Sequence, residues 1–303
     1  MNTPARITYY RHKVLLALLQ AFGGQLTSID LQKYLFLFTR EYQGEKKSYE
    51  FVPFRYGCFS FQCSADRRKL VELGVISANP DRWELTGGTD YRAMLAKQDN
   101  DDLDELTQRY RGISGNNLLR SVYTRYPYYA IRSKVAETLL SQAELKRVDA
   151  ERPGQHRHRF FTIGYEGKSF EHYLNQLIRN NVRALCDVRR NPLSRKYGFS
   201  KTVMRQTLHD LGIEYFHLPE LGIVSEKRQS LNSRDDYRKL FDEYEATTLK
   251  QGGDALRELA TIAKQHGRVA ITCFEAESCM CHRGRVASAL KNLPDWDIPI
   301  EHL

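Results

Sequence analysis

"RFFTIGYEGKSFEHYLNQLIRNNVRALCDVRR", residues 159–190, decides the fold of the second half of the chain. A short apolar run, "RFFTIGY", is followed by an amphipathic stretch, "FEHYLNQLIRNN", and then by a second apolar run, "VRALCDVRR". That order reads as strand, helix, strand. The texture continues downstream: "VMRQTLHDLG" reads as helix, "IEYFHL" as strand and "YRKLFDEYEATTLKQGGDALRELATIAKQ" as helix. "GRVAITCFE" then reads as strand, "GRVASALKNL" as helix and "IPIEHL" as a last strand. Alternation of this kind predicts an α/β domain with a mainly parallel sheet and helices on its faces. Ligands of such sheets lie beyond the carboxyl ends of the strands. Those ends deliver Tyr165 and Glu166, then Asp187, Arg189 and Arg190, then Cys273 and Glu275.

The chain's 303 residues are enough for two domains, since a single core stops growing near about 250–300. "DAERPGQHRHR", 149–159, is polar, carries Pro153 and Gly154, and reads as the linker. Eight of the nine histidines lie in or after it, six of them beyond residue 159, and four of the six cysteines follow it, so catalytic side-chain types concentrate in residues 160–303. Ahead of it, "HKVLLALLQAFGG" predicts a helix stopped at Gly23-Gly24, and "TSIDLQKYLFLFTREY" a second, capped by Thr27 or Ser28. "FSFQCSADRRKLVELG" predicts a third, and "VISANPDRWELT" a small hairpin around Asn79-Pro80-Asp81. Helices followed by a hairpin give a winged-helix-like recognition domain over 1–92, with a helical extension over 93–148.

The net charge of +9 favours polyanion partners. Arg55, Arg67, Arg68 and Lys69 are candidate phosphate contacts or a solvated helix face. Arg120, Tyr123, Arg125, Tyr126, Tyr128, Tyr129 and Arg132 interleave base-stacking and phosphate-binding types, or form an amphipathic helix with packed tyrosines. Six clustered cysteines are too few for a disulfide framework in so long a chain and are expected as thiols. No apolar run approaches the roughly 18–20 residues that span a bilayer, and "MNTPARITYYRHK" lacks the pattern of a signal peptide. A cytoplasmic location without membrane contact is the expectation.

Two family resemblances sit on these residues. "DLQKYLFLFTREY" with "YEFVPFRYGCFSFQCSADRRKLVELGVI" resembles the Panacea or SocA-like antitoxin-type domain over roughly residues 10–90. That resemblance implies an interaction module for protein or DNA, in a toxin-antitoxin or genome-defence context. "TIGYEGKSFEHYL", "DVRRNPLSRKYGFSK", "LGIEYFHLPELG", "VAITCFEAESCMCHRGRVASAL" and "IEHL" together resemble the domain-of-unknown-function 488 family from about Phe160 to Leu303. The resemblance implies a fold and site positions but no established reaction. Its shared features fall on Gly164, Asp187, Arg189, Pro192, Ser194, Leu218-Pro219 and Leu221-Gly222, then on Cys273, Glu275, Cys281, His282 and Arg283.

"ITCFEAESCMCHRGRVA", 271–287, admits four chemistries. Zinc would draw on Cys273, Cys279, Cys281 and His282, but Cys-x-Cys-His crowds three ligands into four residues, unlike two-knuckle zinc sites, and the expectation is no metal there. Cys281, before a predicted helix and beside Arg283 and Arg285, is a candidate reactive thiol. His282, Arg283 and Arg285 suit a phosphate at the helix start. With them go Arg189, Arg190, Arg195, Lys196 and Lys201 of "RRNPLSRKYGFSK", where Tyr197 and Phe199 supply stacking. Glu275, Asp187 and Glu166 are acids for hydrolysis at a glycosidic carbon, or oxygen ligands for Mg²⁺ in phosphodiester hydrolysis.

The reading that combines these signals is a protein that binds DNA or RNA and processes it. Asp187 and Glu275 are its central acids, Glu166 and Tyr165 assist, and the arginines hold phosphate. The competing readings are a non-catalytic module gripping nucleic acid or protein, and a thiol enzyme centred on Cys281.

Overall fold

The computed structural model describes residues 7–45, 47–154, 157–224 and 233–303. Two compact units divide at Met1–Arg152 and Pro153–Leu303. The division falls inside the segment 149–159, of which residues 155 and 156 lie outside the described residues, as do residues 1–6 of the N-terminal segment.

In the first unit α1 (Tyr10–Ala21), β1 (Gln25–Thr27) and α2 (Ser28–Glu41) come first, with Thr27 capping α2 by accepting the Asp30 amide hydrogen. β2 (Val52–Phe54) and β3 (Gly57–Phe59) then form a tight antiparallel hairpin, and α3 (Phe61–Glu72) starts on a Ser60 cap. The aromatic stretch between α2 and α3 thus carries a hairpin of its own, in which Phe54, Phe59 and Phe61 meet edge to face or tilted while Tyr56 is exposed. β4 (Arg82–Glu84) pairs antiparallel with β1, Leu26 opposite Trp83, and the hairpin expected around Pro80 closes through one bridge, Ile76 to Leu85. α4 (Lys97–Arg109), α5 (Gly115–Arg125), α6 (Ala136–Leu139) and α7 (Gln142–Ala150) complete the unit.

Most of the sequence's candidate nucleic-acid residues here have structural work. Arg67 donates to the carbonyls of Asn79 and Arg82 and lies over Trp83. Arg120 pairs with Glu144, and Arg125 pairs with Glu41 and donates to the Tyr110 hydroxyl. Tyr123 and Tyr128 are buried.

The second unit runs β5 (Arg159–Gly164), α8 (Phe170–Arg179), β6 (Ala184–Asp187), α9 (Lys201–Asp210), β7 (Glu214–His217) and α10 (Arg234–Tyr244). α10 passes through one π-helical segment, Glu245–Leu249, before α11 (Gly253–His266). β8 (Arg268–Cys273), α12 (His282–Lys291) and β9 (Ile300–His302) follow. The five strands form one parallel sheet in the order β7-β6-β8-β5-β9. Phe160, Cys186, Val269 and Ile271 pack with Leu240, Phe241, Leu259, Ile262, Val286 and Leu290 of the later helices. The alternating residues Phe161, Ile163, Leu185 and Ala270 are equally buried. Both faces are therefore covered, and strands buried on both faces read as continuous apolar runs rather than as alternation.

Because β8 is inserted between β5 and β6, the chain segments that leave β5 and β6 part on either side of it. A crevice at the carboxyl edge is the geometric result. No helix among the described residues is long and apolar enough to cross a membrane.

Candidate functional site

Register brings the carboxyl ends into line: Gly164 lies beside Cys273, and Asp187 lies between Thr272 and His217. Two glycines allow other backbone to close on this edge. A Cβ on Gly164 would stand 1.8 Å from the Glu275 carbonyl oxygen, and one on Gly222 would stand 2.2 Å from the Arg190 amide nitrogen.

Asp187 is fully buried, and each of its oxygens accepts two hydrogen bonds. Oδ1 takes the Arg189 amide at 3.1 Å and Nε at 2.8 Å; Oδ2 takes Arg189 Nη2 at 2.5 Å and the Tyr215 hydroxyl at 2.7 Å. An acid so occupied does not act as a proton shuttle; it fixes a guanidinium. Arg189 is itself buried, and its Nη1 donates to the Tyr165 hydroxyl at 2.9 Å and the Phe199 carbonyl at 2.8 Å. Burial alone would lower the pKa of Arg189, but the hydrogen bonds and charge of Asp187, with help from Tyr165, raise it instead. Burial, followed by the charge and hydrogen bond of Asp187, likewise raises Tyr215. Tyr165 stacks on Phe199 with centroids 4.2 Å apart and meets Phe274 edge-on.

The loop after β8 is pinned from both sides. Arg283, 1% exposed, donates to the carbonyls of Glu275 and Ala276, so it holds protein backbone where the sequence suggested phosphate. Glu166 is exposed and accepts the Ala276 amide at 2.9 Å, tying the end of β5 to the same loop. His282 is also buried; its Nε2 lies 3.0 Å from the Val188 carbonyl oxygen and its Nδ1 3.6 Å from Cys273 Sγ. Glu275, half-buried, brings Oε2 to 3.3 Å from the same sulfur.

Cys281 stands at the residue before α12, where its side chain makes no capping hydrogen bond, and is 1% exposed. Burial, then Cys273 and the charge of Glu275, push its thiol well above the ordinary range, against the smaller opposing effect of Arg283. That is the opposite of the stabilised thiolate the sequence suggested, because desolvation outweighs the helix start and the arginine. None of the six cysteines is in a disulfide.

Of the expected phosphate-binding residues, Arg190 and Arg195 are exposed and line a pocket of about 330 Å³ together with Asn191, Ser194, Leu193 and Phe274. Arg189 reaches the same pocket from its buried position. Lys196 donates to the Tyr165 carbonyl at 3.1 Å and lies over Phe199, while Lys201 Nζ sits 2.8 Å from His217 Nδ1. Arg285 pairs with Glu245 and lies over Phe241. Glu166, Asp187 and Glu275 share this edge but do not form a cluster that could hold a metal ion: among the described residues, the group of three or more His, Cys, Asp or Glu donors close enough to do so is Cys273, Cys281 and His282.

Sequence reading missed Tyr215 and His217. Their spacing of two near the end of "IEYFHL" was the available signal, since it puts both on one face of a strand. It also missed Phe274 and Leu193, which are 42% and 77% exposed and give the pocket its apolar wall.

This unit is thus a parallel α/β domain with a cation-lined pocket and a thiol-imidazole cluster on its carboxyl edge. Residues 169–290, from the N-cap of α8 to the last turn of α12, match the family described as Domain of unknown function DUF488. No curated protein and no solved structure matches the chain.

Proposed function

We propose that the second unit binds the phosphate backbone of DNA or RNA at its carboxyl edge and acts on it there. The observation that carries this reading is the pocket in which Arg190 and Arg195 stand exposed beside the fixed guanidinium of Arg189 and the apolar wall of Phe274 and Leu193. Cations on a loop beside an exposed ring suit a stacked base and its phosphate. In the hydrolytic form of this proposal, at a glycosidic or a phosphodiester bond, Glu275 and Glu166 are the acids on the accessible side. Asp187 and Tyr165 position Arg189.

The first unit serves recognition in the same proposal. Its order of helix, strand, helix, hairpin, helix and strand, with β4 paired to β1, supports a winged-helix-like module of the Panacea or SocA-like kind, contacting nucleic acid or a protein partner in the cytoplasm. Toxin-antitoxin or genome-defence biology is the setting this part of the proposal implies.

The test is fluorescence anisotropy with labelled single-stranded and duplex DNA and RNA over a salt series, with mass analysis of the incubated strands for cuts or lost bases. Arg190→Ala/Arg195→Ala is expected to weaken binding about tenfold or more and to flatten the log–log salt dependence by about 1.4–1.8 for the two lost phosphate contacts. Its folding stability is expected to stay within about 0.5 kcal/mol of the parent. Absence of binding to every probe at about 50 mM salt, or an unchanged salt slope in the double variant, defeats the reading.

A further inference from the structure

The structure assigns a zinc site to Cys273 Sγ, Cys281 Sγ and His282 Nδ1, with the Glu275 carboxylate beside the remaining coordination position. The assignment is independent of nucleic-acid binding. It rests on the convergence of three side chains from the end of β8 and the start of α12: all three are buried, and their donor atoms lie within 4.8 Å of one another.

The spacing fits the ion. Zinc holds sulfur at about 2.3 Å and imidazole nitrogen at about 2.0–2.1 Å, so a tetrahedral site sets sulfur and nitrogen about 3.6 Å apart. His282 Nδ1 and Cys273 Sγ stand at 3.6 Å. The imidazole is also held from behind: Nε2 lies 3.0 Å from the Val188 carbonyl oxygen, so a hydrogen there is donated and Nδ1 is left with its lone pair toward the sulfurs. Metal-bound histidines are fixed by a backbone carbonyl in this way. Glu275 Oε2, 3.3 Å from Cys273 Sγ, is the carboxylate next to the cluster.

The crowding of Cys-x-Cys-His spoke against zinc only while all four of its donor candidates had to bind. Cys279 is exposed and outside the convergent group, and it leaves one ligand from the strand end and two from the helix start. Two thiolates balance the charge of Zn²⁺, and soft sulfur with imidazole suits that ion better than Mg²⁺.

The full-length protein, freed of metal by chelator under reducing conditions, is titrated with Zn²⁺ and in parallel with Co²⁺. Expected are one zinc per chain by elemental analysis and a Co²⁺ spectrum with tetrahedral d–d bands and thiolate charge transfer in the near ultraviolet. Cys281→Ser and His282→Gln are each expected to weaken metal binding at least about tenfold. Cys279→Ser keeps the parent stoichiometry and spectrum. The parent's cobalt spectrum is decisive even where a ligand variant does not fold. Uptake below about 0.1 equivalent by the parent overturns the site, as does a full thiolate band in Cys281→Ser. A Cys273–Cys281 disulfide formed when the metal-free protein is exposed to air, two electrons and two protons passing to O₂ to give hydrogen peroxide, together with no zinc uptake by the reduced protein, overturns it in favour of thiol redox chemistry.

Discussion

Each unit buries a carboxylate against an arginine, Asp66 with Arg11 in the first and Asp187 with Arg189 in the second, and the two pairs do different work. Asp66 sits on α3 and Arg11 on α1, 55 positions apart in the chain, and Tyr49 and Gln62 add hydrogen bonds at 2.9 and 2.8 Å. His12 Nε2 stands 3.2 Å from the same carboxylate. That node fastens elements to one another. Asp187 and Arg189 are two positions apart and by themselves fasten nothing; the arginine's other N–H groups reach Tyr165 and the Phe199 carbonyl, and its end lines a pocket. A pair distant in sequence clamps a fold, whereas a pair local in sequence at a strand end shapes a site.

The largest expected effect tests how completely the second pair is withdrawn from water. Asp187→Ala leaves Arg189 and Tyr215 without their acceptor in a buried place. Breaking a buried pair by removing one partner costs about 3–5 kcal/mol. Urea unfolding read by tyrosine and tryptophan fluorescence should show that loss, with hydrogen exchange rising around β6 and β7. A cost below about 1 kcal/mol would mean the guanidinium finds solvent, and the contrast with Asp66 would collapse.

Asp66→Asn comes next, because Arg11 stays partly exposed and can be rehydrated. The expected cost at neutral pH is about 2–3 kcal/mol, the worth of hydrogen bonds to a charged group. This difference has a pH signature. Burial by itself would raise the pKa of Asp66, but the close approach of His12 and the hydrogen bonds from Arg11, with the charge of both, outweigh it and lower it to about 2. A depressed carboxylate contributes stability that is whole above the unfolded value of about 3.9 and is lost as pH falls through the folded one. The gap between parent and variant should therefore narrow from about pH 4 down to about pH 2, when α1 and α3 are followed by hydrogen exchange. A gap that stays constant over that window would separate Asp66 from its cations.

The same comparison shows what could be read from sequence. The strands of the second unit were legible because strands covered on both faces need uninterrupted apolar residues, as in "RFFTIG" and "RVAITC". The carboxyl edge was legible for the same reason, since it is where those runs stop. Which arginine faces outward was not: Arg189 and Arg190 are neighbours, one buried on Asp187 and the other exposed at the pocket. Strand-end geometry settles that, and composition does not carry it. Arg283 looked like an anion ligand because its targets, the carbonyls of residues 275 and 276, are backbone groups common to every residue type. The hairpin of β2 and β3 was hidden because its aromatic residues suited a core as well as a strand.

The smallest expected effect concerns a buried charge with no carboxylate in its grip. Lys33 on α2 is 2% exposed, and its ammonium donates to the Cys58 carbonyl at 3.1 Å. Burial lowers its pKa, opposed by electrostatic interaction with Cys58 and Asp30. For a lysine shifted this way the unfolded chain holds the proton more tightly, so stability rises with pH from the folded pKa to about 10.4. Lys33→Met removes that slope together with the cost of desolvating the ammonium, and loses one hydrogen bond to a carbonyl. These effects offset, and the variant should lie between neutral and about 1 kcal/mol more stable at pH 7. Its stability should also be flat over the alkaline range in which the parent gains. A loss of more than about 2 kcal/mol would show that the ammonium is a fastening point like Asp66, and the first unit would then depend on two buried charges rather than one.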